Sequence, residues 1–138
     1  MIGKPAPGFA LRAGDGKTYR LEDCAGKPIV LVFYPMDNTP GCNKQLSALR
    51  DDKEKFDRAG ALLFGVNPAG EDSHRKFCDG FGFGFPLLSD PEMKVAQAYG
   101  AARGSGNRRT VVVIGADGNV KFHRYGMPTD DEILEAIR

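Results

Sequence analysis

The chain reads as one α/β domain, residues 1–138, in which helices cover both faces of a central mixed sheet. Three observations predict this. Residues 29–34 and 61–66 are apolar runs with the length and β-branched content of buried strands. Between them Leu46, Leu49 and Phe56 recur at helical spacing among charged residues, which predicts a helix over 40–59. A third apolar run, 110–114, is followed by Asp117-Gly118 and by 120–123, the pattern of a β-hairpin. A strand–helix–strand unit requires parallel strands joined by a right-handed crossover, whereas the hairpin adds antiparallel strands. The sheet is therefore mixed.

The remaining elements follow from local signals. Asp15-Gly16-Lys17 before Thr18-Tyr19-Arg20 predicts a hairpin turn, and Leu21-Glu22-Asp23-Cys24 a brief helical turn. Asn67-Pro68 ends the second strand, and Glu71 and Asp72 supply the acidic first turn of a helix over 70–77. Alternating glycines at 80, 82 and 84 break that helix. Residues 92–99 form a short helix, 101–108 a polar glycine-bearing loop, and 130–137 the terminal helix. No repeat or linker interrupts the chain.

Bulk composition removes several function classes. Nineteen basic and eighteen acidic side chains give a net charge of +1, so no bulk field recruits nucleic acid or an anionic membrane. Met1-Ile2-Gly3-Lys4-Pro5 lacks the apolar core of a signal peptide, and no run approaches the roughly 18 apolar residues of a membrane span. Three cysteines, Cys24, Cys42 and Cys78, have no metal-type spacing and fit a reducing, cytoplasmic compartment better than a disulfide scaffold.

Chemistry concentrates between the first buried strand and its helix, at Pro35-Met36-Asp37-Asn38-Thr39-Pro40-Gly41-Cys42. Thr39 stands at the N-cap, Pro40 at the first helical position and Cys42 in the first turn. Cys42 precedes Leu46 by four residues, which places it on the buried face. Free N–H groups and the positive helix end there favour a thiolate. They are insufficient alone. Lowering a thiol from a pKa of about 8.5 to about 6 requires roughly 3.4 kcal/mol, and a helix terminus supplies about 0.3–2 kcal/mol. A guanidinium must supply the rest, from among Arg50, Arg58, Arg103, Arg108 and Arg109. Arg109 ranks first because it immediately precedes a strand, where a charge is held rigidly.

The string Phe33-Tyr34-Pro35-Met36-Asp37-Asn38-Thr39-Pro40-Gly41-Cys42 resembles the active-site signature of the peroxiredoxins, in particular their bacterioferritin-comigratory (Q-type) branch. The likeness continues through Gly3-Lys4-Pro5-Ala6-Pro7, Phe85-Pro86-Leu87-Leu88-Ser89-Asp90-Pro91, Ala98-Tyr99-Gly100 and Arg109-Thr110. It implies a thioredoxin-like three-layer α/β/α fold and reduction of peroxides, with Cys42 as the peroxidatic cysteine. It further implies that Thr39 hydrogen-bonds the peroxide, that Pro35 shields the pocket and that Arg109 polarises thiolate and substrate. Thioredoxin or a similar dithiol is the implied reductant, with no cofactor or metal.

A sulfenic acid at Cys42 needs a second thiol to resolve it. Many Q-type enzymes carry that cysteine five residues later, where this chain has Ser47. Cys78, thirty-six residues downstream, resembles the resolving position of another subset of the branch. The competing reading makes Cys78 a core residue on one helical face with His74, Phe77 and Phe81. The glycine-rich flank favours resolution, because unwinding there is cheap. Cys24 reads as packing. Asn43 and Gln45 depart from the Thr or Ser and the acidic residue usual at those positions, which bears on rate and peroxide preference. His74 with Cys78 lacks the further ligands of a zinc site, residues 103–108 lack the lysine and helix of a phosphate loop, and His123 reads as solvent-facing. The Phe81, Phe83 and Phe85 run reads as core.

The sequence therefore predicts a monomeric thiol peroxidase acting on hydrogen peroxide and alkyl hydroperoxides through a Cys42–Cys78 disulfide. The alternatives are a one-cysteine peroxidase resolved by an external thiol and a non-enzymatic redox sensor on the same fold. A disulfide oxidoreductase lacks its Cys-x-x-Cys motif.

Overall fold

The computed structural model describes residues 1–138. The chain opens with β1 (Ala10–Arg12) and β2 (Thr18–Arg20), an antiparallel pair, and a 3-10 turn over Leu21–Cys24. Then come β3 (Ile29–Phe33), α1 (Pro40–Asp51), α2 (Lys53–Arg58), β4 (Leu62–Asn67) and α3 (Glu71–Phe81). The second half comprises β5 (Leu87–Ser89), α4 (Lys94–Ala98), β6 (Ala102–Arg103) and β7 (Gly106–Asn107). β8 (Thr110–Ile114), β9 (Val120–Tyr125) and α5 (Asp130–Ile137) complete it.

The central sheet has the order β5-β4-β3-β8-β9. β3, β4 and β5 are parallel, as the crossover requires, while β8 and β9 run antiparallel. All five residues of β3 are buried, which is why that run carries no polar alternation. Ile29, Leu31 and Phe33 point to one face, where Phe9, Val95 and Tyr99 cover them. Val30, Val32 and Tyr34 point to the other, against Leu46, Leu49, Phe56, Phe77 and Ile133. Each fully buried aliphatic or aromatic side chain contributes about 1.5–3 kcal/mol. Helix α1 is thus held by Leu46 and Leu49, while its first turn, with Gly41 and no side-chain cap, is its weakest part.

Three local expectations are corrected. The helix predicted over 40–59 is two helices, because Asp52 leaves helical geometry (φ −97°, ψ 9°). Residues 101–108 are not wholly loop but contain the β6–β7 ladder, which buried Asn107 pins to the sheet by donating Nδ2–H to the Tyr34 and Val66 carbonyls. Helix α3 continues through Gly80 and ends at Gly82, which takes the left-handed C-cap (φ 65°). Gly65 in β4 is required by space: a Cβ there would lie 2.6 Å from Leu87 and 3.1 Å from the Tyr34 ring.

At the start of α5, Thr129 and Glu132 form a reciprocal capping box. Beside it, burial first and then the neighbouring Asp52 carboxylate push the Asp130 carboxyl up to about 7. Since that value lies above the unfolded one, about 3.9, the associated stability is complete below about pH 4 and is lost as pH rises through about 7. Asp130→Asn is therefore expected to raise the Tm at pH 8 and to leave it nearly unchanged at pH 4. Thermal denaturation at the two pH values measures the difference.

Candidate active site

The site lies at the carboxyl end of β3, between the helix connection to β4 and the antiparallel partner β8. Phe33 pairs with Val66 on one side and Thr110 on the other. That register sets Asn67 on one flank of the loop after β3 and Arg109 on the opposite flank. Strand pairing, and not the loop itself, delivers the cation.

Cys42 is the third residue of α1 and is only 1% exposed. Its helix neighbours leave the first-turn amides without intrahelical acceptors. The Thr39 side chain does not cap them; its hydroxyl donates instead to the Met36 carbonyl, at 3.4 Å. Arg109 Nη2 donates to Cys42 Sγ at 3.4 Å, and Arg109 Nη1 donates to Gln45 Oε1 at 2.7 Å. The other candidate arginines are engaged elsewhere. Arg50 holds the Phe81 carbonyl, Arg58 pairs with Glu54, Arg108 stacks on Tyr125 and Arg103 lies exposed on the β6–β7 hairpin. Gln45 was legible only as a departure from an acidic residue. Structurally it is a buried neutral acceptor that orients Arg109 without cancelling its charge, which leaves the guanidinium's field for sulfur.

The opposite flank is polar and buried. Asp37 accepts four hydrogen bonds: Tyr34 hydroxyl (2.6 Å) and Asn67 Nδ2 (3.0 Å) on Oδ1, Ser73 hydroxyl (2.6 Å) and His74 Nδ1 (2.8 Å) on Oδ2. Burial by itself would push this carboxyl up, but the hydrogen bonds from His74, Ser73 and Tyr34 outweigh it and hold the group below the usual carboxylate range. Sequence reasoning passed over Asp37; the signal available was an acidic residue in the short loop between a buried strand and its helix.

The three thiols differ sharply. Burial, then nearby Asp79, Asp15 and Asp37, push the Cys78 thiol up, and burial with Asp23 does the same to Cys24. Both favour the neutral thiol, and only Cys42 has a guanidinium on its sulfur. Cys78 is half-buried in the last turns of α3, its thiol donating to the Phe83 carbonyl at 3.3 Å. All three cysteines are free, so the structure does not bring Cys78 onto Cys42. Both nevertheless adjoin the same apolar cluster, on one side of the sheet. Pro35 is half-buried on the loop, and Phe83 and Phe85 are core, packed with Phe77. His123, read from sequence as solvent-facing, is instead half-buried with Nε2 against the Tyr99 carbonyl at 2.7 Å.

The model of the AhpC/TSA family matches residues 2–123. The chain belongs to that family. It is 33% identical over 145 residues to Peroxiredoxin Bcp of Bacillus subtilis, covering 99% of this chain and 92% of that protein. It is 44% identical over 98 residues to chloroplastic Peroxiredoxin Q of Populus jackii, covering 71% of this chain and 46% of the relative. The chain thus spans about half the length of the plant relatives it matches. Among solved structures, Peroxidoxin BcpB of Mycobacterium tuberculosis superposes with a TM-score of 0.90 at 30% identity, covering 98% of this chain and 94% of that one. Peroxiredoxin Q of Xanthomonas campestris gives 0.88 at 29%, covering 93% and 88%. These likenesses agree with the thioredoxin-like arrangement of the sheet and its helices.

In this member of the AhpC/TSA family, Gly41 leaves open the space beside the sulfur that the guanidinium occupies. A Cβ there would stand 3.3 Å from Arg109 Nη2, so Arg109 would have to retreat by a few tenths of an ångström. Gly41→Ala is expected to keep the fold and to slow oxidation of Cys42 by one equivalent of hydrogen peroxide about fivefold, the effect of weakening a contact by about 1 kcal/mol. Rapid quenching with an alkylating agent and intact mass measurement reads that rate. An unchanged rate would show the approach to be unimportant.

Proposed function

We propose that this chain is a thiol peroxidase that reduces hydrogen peroxide and alkyl hydroperoxides with Cys42. The carrying observation is the Arg109 guanidinium donating to a buried sulfur in the first turn of α1. Each partner favours the anion: the helix end through its free amides, the guanidinium through its charge. Cys42 thiolate attacks one peroxide oxygen, the O–O bond breaks, and water or an alcohol leaves after protonation. Sulfur is oxidised to the sulfenic acid and the peroxide is reduced. Thr39 holds its hydroxyl on a long bond to Met36, which leaves it free to turn toward the peroxide, and Pro35 covers the loop. The Xanthomonas campestris bacterioferritin comigratory protein, 27% identical, is described as having alkyl peroxide reduction activity.

The Cys78 thiol then condenses with the sulfenic acid, forming the Cys42–Cys78 disulfide and releasing water. Two structures of the Xanthomonas protein are cysteine-to-serine variants whose altered positions are separated by the same interval as Cys42 and Cys78, which supports this pairing. An external dithiol protein of the thioredoxin kind restores both thiols. We assign the chain to the cytoplasm and take it as a monomer in this cycle; no helix is long and apolar enough to cross a membrane.

Protein treated with one equivalent of peroxide is expected to yield a Cys42–Cys78 linked peptide by mass spectrometry. Cys78→Ser is expected to oxidise at Cys42 at a near wild-type rate but to stop at sulfenic and then sulfinic acid. Linked peptide absent from wild type, with turnover sustained by a small external thiol, would favour the one-cysteine reading instead.

A further inference from the structure

Two segments must loosen for Cys42 and Cys78 to meet, because both sulfurs begin inside helices and a disulfide needs their Cα atoms within about 7 Å. What holds the segments near one another while they loosen is a separate question. The only side-chain bridge from the 35–42 loop to α3 is the Asp37 carboxylate on Ser73 and His74.

That bridge is built to persist. A carboxylate has about four acceptor sites, and all four on Asp37 are filled, which fixes it as the anion. His74 is 0% exposed, and its Nε2 faces the Leu88 carbonyl at 3.0 Å, which can only accept. His74 thus has an acceptor at each ring nitrogen, the Asp37 carboxylate at Nδ1 and the Leu88 carbonyl at Nε2. The backbone closes on the same turn from the other side: a Cβ at Gly14 would lie 2.7 Å from the Arg75 nitrogen. Opening this buried network would leave several desolvated polar groups without partners, whereas turns near helix ends open far more readily. The turns next to the sulfurs are of that cheap kind. Asn38 sits at φ +55°, Thr39 offers no side-chain cap, and α3 ends through Gly80 and Gly82 with its capping amide on the Cys78 carbonyl.

We propose that the Asp37–His74 pair, with Ser73, Asn67 and Tyr34, is a fixed pivot that stays closed while the turns beyond it unwind, and so positions Cys78 for Cys42. The proposal rests on the Cys42–Cys78 reading above. Five residues from Asp37 to Cys42 and four from His74 to Cys78, at about 3.3 Å each, reach roughly 30 Å in total, so the sulfurs meet without detaching the pivot. With the pivot closed, the loosened span that joins the sulfurs is only about ten residues, and releasing the pivot frees more of each segment and lengthens that span, which slows closure. Asp37 and His74 are thus positioning residues for resolution and not catalytic ones.

The test measures disulfide formation after one equivalent of hydrogen peroxide, together with the sulfinic fraction at higher peroxide, for wild type, Asp37→Asn and His74→Gln. The pivot predicts disulfide formation slowed about threefold in the variants, the effect of doubling the loosened span, and a raised sulfinic fraction. Disulfide formation unchanged or accelerated in these variants overturns it; acceleration is what a merely stabilising contact would give, since loosening it would only ease unwinding. Hydrogen exchange on oxidised wild type needs no variant. Amide protection retained at His74 and lost across residues 80–84 supports the pivot, and loss at His74 overturns it. Wild type forming no Cys42–Cys78 bond would overturn the underlying pairing, whereas wild type forming it with indifferent variants would overturn the pivot alone.

Discussion

The chemistry proposed for this molecule depends on one contact, a guanidinium hydrogen on a sulfur, and that contact is a product of strand register. Phe33 opposite Thr110 fixes Arg109 beside the loop that follows β3. A one-residue slip between β3 and β8 would turn every side chain of β8 to the opposite face and carry Arg109 away from Cys42. The buried apolar side chains of both strands make such a slip expensive, because Val111 and Val113 would exchange places with Val112 and Ile114 between two differently shaped cores. The sheet is therefore the device that aims the charge.

The loop between these strands is supported from two sides by different physics. On the β8 side the support is cationic: Arg109 is oriented by the neutral Gln45 amide, so its charge is not consumed before it reaches sulfur. On the β4 side the support is an anion whose every acceptor site is filled, Asp37. The separation matters. A carboxylate next to Cys42 would oppose the thiolate, and Asp37 is instead drawn outward to Ser73 and His74 by its hydrogen bonds. Cys78, with carboxylates around it and no cation on its sulfur, is left as a neutral thiol in the resting protein. In the proposed cycle, one sulfur attacks and the other waits.

Much of this was legible in the residues. The parallel unit around Cys42, the late hairpin and the terminal helix follow from period and turn chemistry, and the choice of Arg109 over four other arginines followed from its place at a strand start. Three things were not legible, each for a physical reason. The helix break at Asp52 is not set by propensity, since Asp-Lys-Glu-Lys-Phe reads as continuous helix. The β6–β7 ladder depends on Asn107 finding carbonyls of two distant strands, a contact with no local trace. Asp37 and His74 lie thirty-seven residues apart and meet only because β3 and β4 are parallel neighbours. Gln45 was noticed as an oddity but its partner was not. Such long-range polar pairs are invisible to hydrophobic periodicity.

The most direct test of the account compares how fast Cys42 is alkylated by iodoacetamide at neutral pH in wild type and in Arg109→Gln, with peptide mass spectrometry separating Cys42 from Cys24 and Cys78. If the Arg109 guanidinium activates the sulfur it touches, alkylation of Cys42 is markedly slower in the variant while that of Cys24 and Cys78 is unchanged. Equal rates at Cys42 in the two proteins would contradict the account.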